Sequence, residues 1–396
     1  MISVAQAQEA IRQRARPLAV EAVPLGEVHG RTLREAVYAP EDVPSFDRSA
    51  MDGYAVRADD EVEEWQVIGE IRAGQIVDAE LCGGEAMRIF TGARLPGPGL
   101  KVIMQEDVAA ESSRIRLKRK SAGSHVRHRG EDARAGEILL EPGLRLNAAA
   151  VALLASAGKT SVPVSRVPRI LHLTTGDEIV PPGQTPGPGQ IRNSNAFLIS
   201  ALVREWGGEA THLHAPDQLE TMIDLLAGAQ PEARDLILVS GGSGAGSYDF
   251  TAKLFESLGA EIYFRQVDVR PGKPLIFGGT PAQLVFGLPG NALSHFVCFH
   301  LFVRVALAGL LGRTPGMISS AIVAEPVTET LNSRETWWPV RTIFRDGRVE
   351  VRALPWKSSG DITRLPGADA LIRVPAQTPL LPAGASVDYL SLRADI

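Results

Sequence analysis

Three glycine-rich turns hold the residues best suited to binding an anion, and each follows a short apolar run. They read SGGSGAGSYD at 240–249, RPGKP at 270–274 and GLPGN at 287–291. In the first turn Gly241, Gly242, Ser243 and Gly244 let the backbone approach a ligand, and successive N–H groups can form an anion nest. Asp249 then opens a helix, where it is either an N-cap or a ligand. The loop lacks the Gly-Lys-Ser/Thr of a Walker A motif and the later acid of a dinucleotide GxGxxG. In the second turn Arg270 and Lys273 stand on a stiff Pro-Gly-Pro frame that suits a phosphate or another oxyanion. The bland alternative, a surface turn, fits less well beside so apolar a run.

Carboxylates cluster elsewhere. Thr175-Gly176-Asp177-Glu178 follows the run RILHLT, which puts acid groups at the carboxyl edge of a strand. They read either as acids that contact a metal or hydroxyl, or as a turn cap. Residues 43–56, VPSFDRSAMDGYAV, set Asp47, Arg48, Ser49 and Asp52 among apolar neighbours with no clean period. Such a loop is costly to bury unless its polar groups are satisfied or used. HVRHRGED at 125–132 is as densely charged; His125 and His128 have a possible metal spacing but read better as a solvated pair. The basic stretch 118–121 reads as a hairpin end ahead of a phosphate patch.

These loops need a scaffold, and the periodicity supplies one. From residue 169 short apolar runs alternate with helical patterns: strand 169–174, helix 196–206, strand 210–214, helix 219–228, strand 236–239 and helix 250–258. Two later runs, 262–269 and 284–286, and a long helix from Asn291 to about Leu311 complete the series. Such alternation predicts a doubly wound sheet of buried parallel strands, with ligands beyond their carboxyl ends. A helix is expected over 2–16, stopped near Pro17, and another over 147–158. Short strands with Gly and Pro turns predict an all-β insertion from about 40 to 142 and a compact β domain after Pro315.

Composition narrows the class. The 396 residues suffice for several domains, and 44% apolar and 22% charged residues with net charge −5 describe an ordinary globular chain. There is no basic excess to suggest a nucleic-acid partner. Cys82 and Cys298 lie far apart beside apolar residues, which points to two buried thiols in a reducing cytosol. The N-terminal stretch has no signal-peptide core, and the apolar run 301–311 is broken by Arg304 and too short to span a membrane.

Taken together, FDRSAMDGYAV (46–56), IFTGARLP (89–96), RHRGED (127–132), TTGDEI (174–179), GQIRNSNAFLI (189–199), SGGSGAGSYDF (240–250), VRPGKPLIFG (269–278) and GLPGNALS (287–294) resemble the molybdopterin molybdenumtransferase family, the group of MoeA and the gephyrin E domain. The pieces occur in the family's order and span nearly the whole chain. The resemblance implies a molybdopterin-binding α/β domain from 1–19 and 168–312, a small linking domain from 20–38 and 139–167, an extended β domain from 39–138, and a C-terminal β-barrel-like domain from 316–396. It also implies a cytoplasmic homodimer whose clefts are shared between subunits, fed by an upstream adenylyltransferase and serving downstream molybdoenzymes.

The implied reaction inserts molybdate into adenylylated molybdopterin and releases AMP with Mg2+. By motif match, Asp52, Thr91, Asp132, Glu178 and Asp249 carry over as catalytic positions, with Glu178 and Asp249 at the metal and Asp217 a weaker candidate. Gly241, Gly242, Ser243, Gly244, Arg270, Lys273 and Ser359 would bind substrate anions, and Asp52 and Thr91 would come from the partner subunit. The chain departs from the family pattern at Ser243-Gly244, where members carry a bulkier pair, and at Gln266, where a basic residue is common. Both departures bear on the choice between molybdate and tungstate. Two other readings follow from the same family: a non-catalytic pterin-binding scaffold, and an enzyme like the sister adenylyltransferase, which has the α/β domain alone.

Overall fold

The computed structural model describes all residues except 121–122, 242–246, 315, 317, 329–331 and 394–396, and describes only the backbone of 247–249. The chain forms two compact units. One comprises Met1–Arg34, Pro142–Asn147 and Ser161–Ile396, the other Glu35–Glu141 and Ala148–Thr160.

In the first unit, strands β1 (Arg169–Thr175), β2 (Glu209–Ala215), β3 (Leu236–Ser240), β4 (Glu261–Phe264), β5 (Ile276–Gly279) and β6 (Leu284–Leu288) form a sheet in the order β2-β1-β3-β6-β5-β4. The first four in that order are parallel, with Leu173 opposite Val239 and Leu238 opposite Phe286; β5 and β4 add an antiparallel edge. Side chains alternate across the strands with period two. Ile170, Leu236, Leu238 and Phe286 pack with helices α1 (Val4–Arg12), α2 (Asn195–Glu205) and α5 (Ala292–Leu311). Leu171, Leu173, Ile237 and Val239 face α3 (Leu219–Gly228) and α4 (Ser247–Ser257) on the other side. Burying each such aliphatic side chain contributes about 1.5–3 kcal/mol.

The helix ends follow local chemistry. A capping box starts α1: Gln6 N–H donates to Ser3 Oγ, and Ser3 N–H donates to Gln6 Oε1. Positive-φ glycines follow α2 and α4, at Gly207 and Gly259. Helix α5 covers the expected stretch from Asn291 to about Leu311, and the apolar run 301–311 is its second half. Length and composition alone would let it cross a membrane, but 94% of its 18-residue apolar stretch is buried in the protein. Its apolarity is that of a core helix.

One expected parallel strand is different in the structure. The run 262–269 breaks after β4, an antiparallel strand that ends at Phe264, before exposed Arg265 and Gln266. Val269–Arg270 then leaves the sheet and pairs in parallel with Glu335 and Thr336 of the C-terminal region. The RPGKP turn therefore sits between sheet and barrel and does not cap a parallel strand.

That barrel is built from β7 (Ile318–Val323), β8 (Glu335–Arg345), β9 (Arg348–Ala353), β10 (Ala370–Val374) and β11 (Ser386–Ser391). They pair as β8-β9-β7-β11-β10, and β10 pairs back with β8, so the barrel closes and its edges are satisfied. Val323, Val340, Val351 and Ile372 fill it.

The second unit carries a six-stranded sheet in the order Leu100–Met104, Gly53–Arg57, Glu85–Ile89, Glu64–Ile71, Arg114–Leu117, Val108–Glu111. The Glu64–Ile71 and Glu85–Ile89 strands are parallel, and every other pairing is antiparallel. Cys82, expected to be buried like Cys298, is exposed, because it lies in the loop between those two strands.

Candidate active site

The carboxyl ends of β1 and β3 open into a cavity of about 420 Å³ lined by Thr175, Gly176, Glu178, Asp217, Ser240 and Gly241, among others. Two glycines shape its floor. Gly241 has φ +119°, and a Cβ there would lie 2.5 Å from Thr175 Oγ1, so only glycine lets the turn run this close to β1. Gly176 has φ +138°, and a Cβ would lie 2.6 Å from Glu178 Oε2; its turn brings Glu178 to the rim. Asp217 N–H donates to Asp177 Oδ1 at 3.3 Å, which joins the two acid-bearing loops.

A second cavity, of about 430 Å³, takes in Arg270, Lys273, Ser294, Arg334, Lys357 and Ser359. Among the described residues no carboxylate lines it. The Arg270 guanidinium lies 5.0 Å from the centre of the Trp356 ring, a cation–π contact that orients it. Arg334 donates to the Val269 carbonyl at 3.0 Å, which fixes a barrel residue beside the RPGKP turn.

Gly290 and Asn291 belong to both cavities and form the wall between them. Three elements hold this wall. Asn195, at the start of α2, donates to Gly290 O at 2.8 Å. Leu293 N–H, in the first turn of α5, donates to Ser359 O at 3.0 Å, and Asn291 Nδ2 donates to Ser359 Oγ at 2.6 Å. Asn291 stands at the N-cap position of α5 as expected, but its side chain makes no capping bond and reaches the barrel loop.

The second unit gathers its own polar cluster. Asp52 Oδ1 accepts both the N–H and the hydroxyl of Thr91, each at 2.7 Å. Those bonds, the backbone one first, hold the carboxyl below its ordinary range. Val126 and Arg127 pair with Ser49 and Arg48, which brings RHRGED against FDRSAMDG. Arg127 bridges Glu131 and Asp132, and His128 contacts Asp47 at 3.4 Å. The described residues include no cluster of three or more metal-ligating side chains.

The expected residues thus divide into three groups. Glu178, Asp217 and Gly241 share the acid-lined cavity; Arg270, Lys273 and Ser359 share the cationic one; Asp52, Thr91 and Asp132 lie in the second unit. Gly242, Ser243, Gly244 and the side chain of Asp249 fall outside the described residues. Gln266 is exposed and lines neither cavity. Sequence reasoning did not single out Arg334, Lys357, Asn195 or Ser240. The available signals were their places in motifs already noted: Ser240 opens SGGSGAGSYD, Asn195 lies in GQIRNSNAFLI, and Lys357 stands two positions before Ser359.

Family models match three consecutive stretches: the MoeA N-terminal region (domain I and II) over 2–158, a probable molybdopterin binding domain over 172–309 and the MoeA C-terminal region (domain IV) over 312–392. The molybdopterin molybdenumtransferase of Nostoc sp. is 34% identical over 388 residues, covering 94% of this chain and 88% of that protein. The enzyme of the same name from Bacillus subtilis is 33% identical over 379 residues, covering 92% and 88%. Among solved structures, a molybdopterin biosynthesis MoeA protein from Pyrococcus horikoshii superposes with a TM-score of 0.82 at 28% identity, covering 98% of this chain and 99% of that one.

Proposed function

The chain belongs to the molybdopterin molybdenumtransferase family and acts in molybdenum cofactor biosynthesis, and from that premise we propose that it inserts molybdate into adenylylated molybdopterin and releases AMP. The observation that carries the reading is the pairing, across one wall at Gly290-Asn291, of an acid-lined cavity with a cationic one that no carboxylate lines among the described residues. A polyanionic substrate joined to an oxyanion needs both. Arg270 and Lys273, with Arg334 and Lys357, hold molybdate by charge; Gly241 and the glycine turn after it hold the pyrophosphate through backbone N–H groups. Ser359 keeps the wall in register.

Mg2+ usually takes one or two carboxylates and completes its shell with waters and substrate phosphates. Glu178 and Asp217 on one cavity fit that donor set, and Asp249, in the first turn of α4, is a further candidate. The ion would neutralise charge at the pyrophosphate. We assign the protein to a cytoplasmic homodimer with the four-part domain division given above. Asp52, Thr91 and Asp132 of each subunit would then complete the partner's cleft. An upstream adenylyltransferase would supply the substrate and molybdoenzymes would receive the product. The N- and C-terminal region matches disfavour the adenylyltransferase reading, because the sister enzyme is the α/β domain alone.

The test is AMP release from adenylylated molybdopterin with molybdate, with tungstate and with no oxyanion. Release that depends on the oxyanion supports the proposal. Tight binding of the substrate with no AMP under any condition would end it.

A further inference from the structure

We infer that Ser240 is a positioning residue whose hydroxyl, held between His172 and His295, ties the end of β3 and the adjoining Gly241 to the wall between the two cavities. The residues are buried: His172 and His295 are 0% exposed and Ser240 is 1%. His172 Nε2 lies 2.7 Å from Ser240 Oγ, His295 Nε2 lies 2.5 Å from the same oxygen, and His295 Nδ1 lies 3.2 Å from Asn291 O.

The direction of every bond follows from what each atom can do. A carbonyl only accepts, so His295 carries its proton on Nδ1 and donates to Asn291 O. Burial pushes the His295 pKa down to about 4, so at neutral pH the ring is neutral and Nε2 is an acceptor. Ser240 must then donate to His295, and its oxygen accepts from His172 Nε2–H. His172 Nδ1 is left unprotonated, and it has no partner among the described residues. The chain His172→Ser240→His295→Asn291 therefore has one polarity. It runs from the sheet to the residue that bonds Ser359.

The same atoms resemble a serine nucleophile with its histidine base. Two observations give the hydroxyl a holding role: it is buried, and its proton and one of its two lone pairs are both engaged inside the protein, by His295 and His172. Ser240 instead fixes the first residue of the glycine turn relative to Asn291, and so the span between pyrophosphate and oxyanion. The kinetic consequence rests on the transferase reading, whereas the bond polarity does not.

The experiment uses the full chain labelled with 15N-histidine, assigned through His172→Gln and His295→Asn. Long-range 1H–15N spectra at pH 7 should show His295 as the Nδ1–H tautomer and His172 as the Nε2–H tautomer; the reverse in either ring overturns the inference. In AMP-release assays Ser240→Ala should raise KM for both molybdate and the adenylylated pterin about tenfold, with a smaller change in kcat. His295→Gln, which can keep an acceptor near Nε2, should do less damage than His295→Asn, which cannot. A loss of kcat alone, or covalent labelling of Ser240 by phenylmethanesulfonyl fluoride, overturns the positioning role. If the wild type releases no AMP, the transferase reading fails and the spectra still decide the network.

Discussion

Asn291 donates to Ser359 across 2.6 Å, and that bond joins the turn after β6 to the loop before β10. It makes the α/β sheet and the barrel share one wall of each cavity. Asn291→Ala and Ser359→Ala should each lower stability by about 0.5–1.5 kcal/mol, the usual net value of such a bond. The double variant should cost less than the sum. Ser359→Ala leaves the Leu293-to-Ser359 backbone bond in place, so denaturant midpoints for the cycle report the side-chain contact.

The cationic cavity predicts a separation of binding from turnover. Lys273→Gln and Arg334→Gln remove charges from a cavity that no described carboxylate lines. A hydrogen bond to a charged group is worth about 1.5–3 kcal/mol, so the molybdate concentration giving half-maximal AMP release should rise at least about tenfold. Raising the salt concentration should shrink the difference between wild type and variants.

In the second unit Thr91 sets the ionisation of Asp52. Thr91→Val removes the hydroxyl donor and keeps the backbone N–H, so the depressed Asp52 pKa should move part of the way back toward its ordinary value. A carboxyl-carbon NMR titration reads this directly. An unmoved titration would mean the side-chain bond contributes nothing.

Buried histidines predict an acid-sensitive fold. Burial lowers His295 to about 4 and His300 to about 3, and His172 well below its ordinary 6.5. Below pH 6.5 the unfolded chain takes up protons that the folded chain refuses. Stability therefore falls as pH drops from about 6.5 toward 4, with a slope of at most about 1.4 kcal/mol per pH unit for each histidine. Neither His300 ring nitrogen has a partner among the described residues. His300→Leu should raise the thermal midpoint at pH 7 and flatten the acid limb.

Gly241→Ala should destabilise by about 1–3 kcal/mol, because φ +119° and the 2.5 Å approach to Thr175 Oγ1 both exclude a side chain. A denaturant titration checks it. An unchanged midpoint would show that the turn relaxes freely.

Much of the scaffold was legible in the chain. Continuous apolar runs such as 236–239 and helical stripes such as 219–228 encode the doubly wound sheet, because strands buried on both faces and helices buried on one demand those patterns locally. The glycine and charged turns at strand ends were legible for the same reason: a turn's steric and charge requirements are met by adjacent residues. The run 262–269 misled, since apolarity alone does not distinguish a parallel strand from an edge strand followed by a segment bound for another sheet.

What the sequence determined by itself is the set of elements, their order and the identity of the anion-binding turns. Only the tertiary structure decided that Arg334 and Lys357 join Arg270, and that Ser240 lies between His172 and His295, partners 68 and 55 positions away. Those meetings depend on barrel closure and on the register of β1, β3 and α5. Such long-range pairings are fixed by packing a whole unit at once, and no local spacing records them.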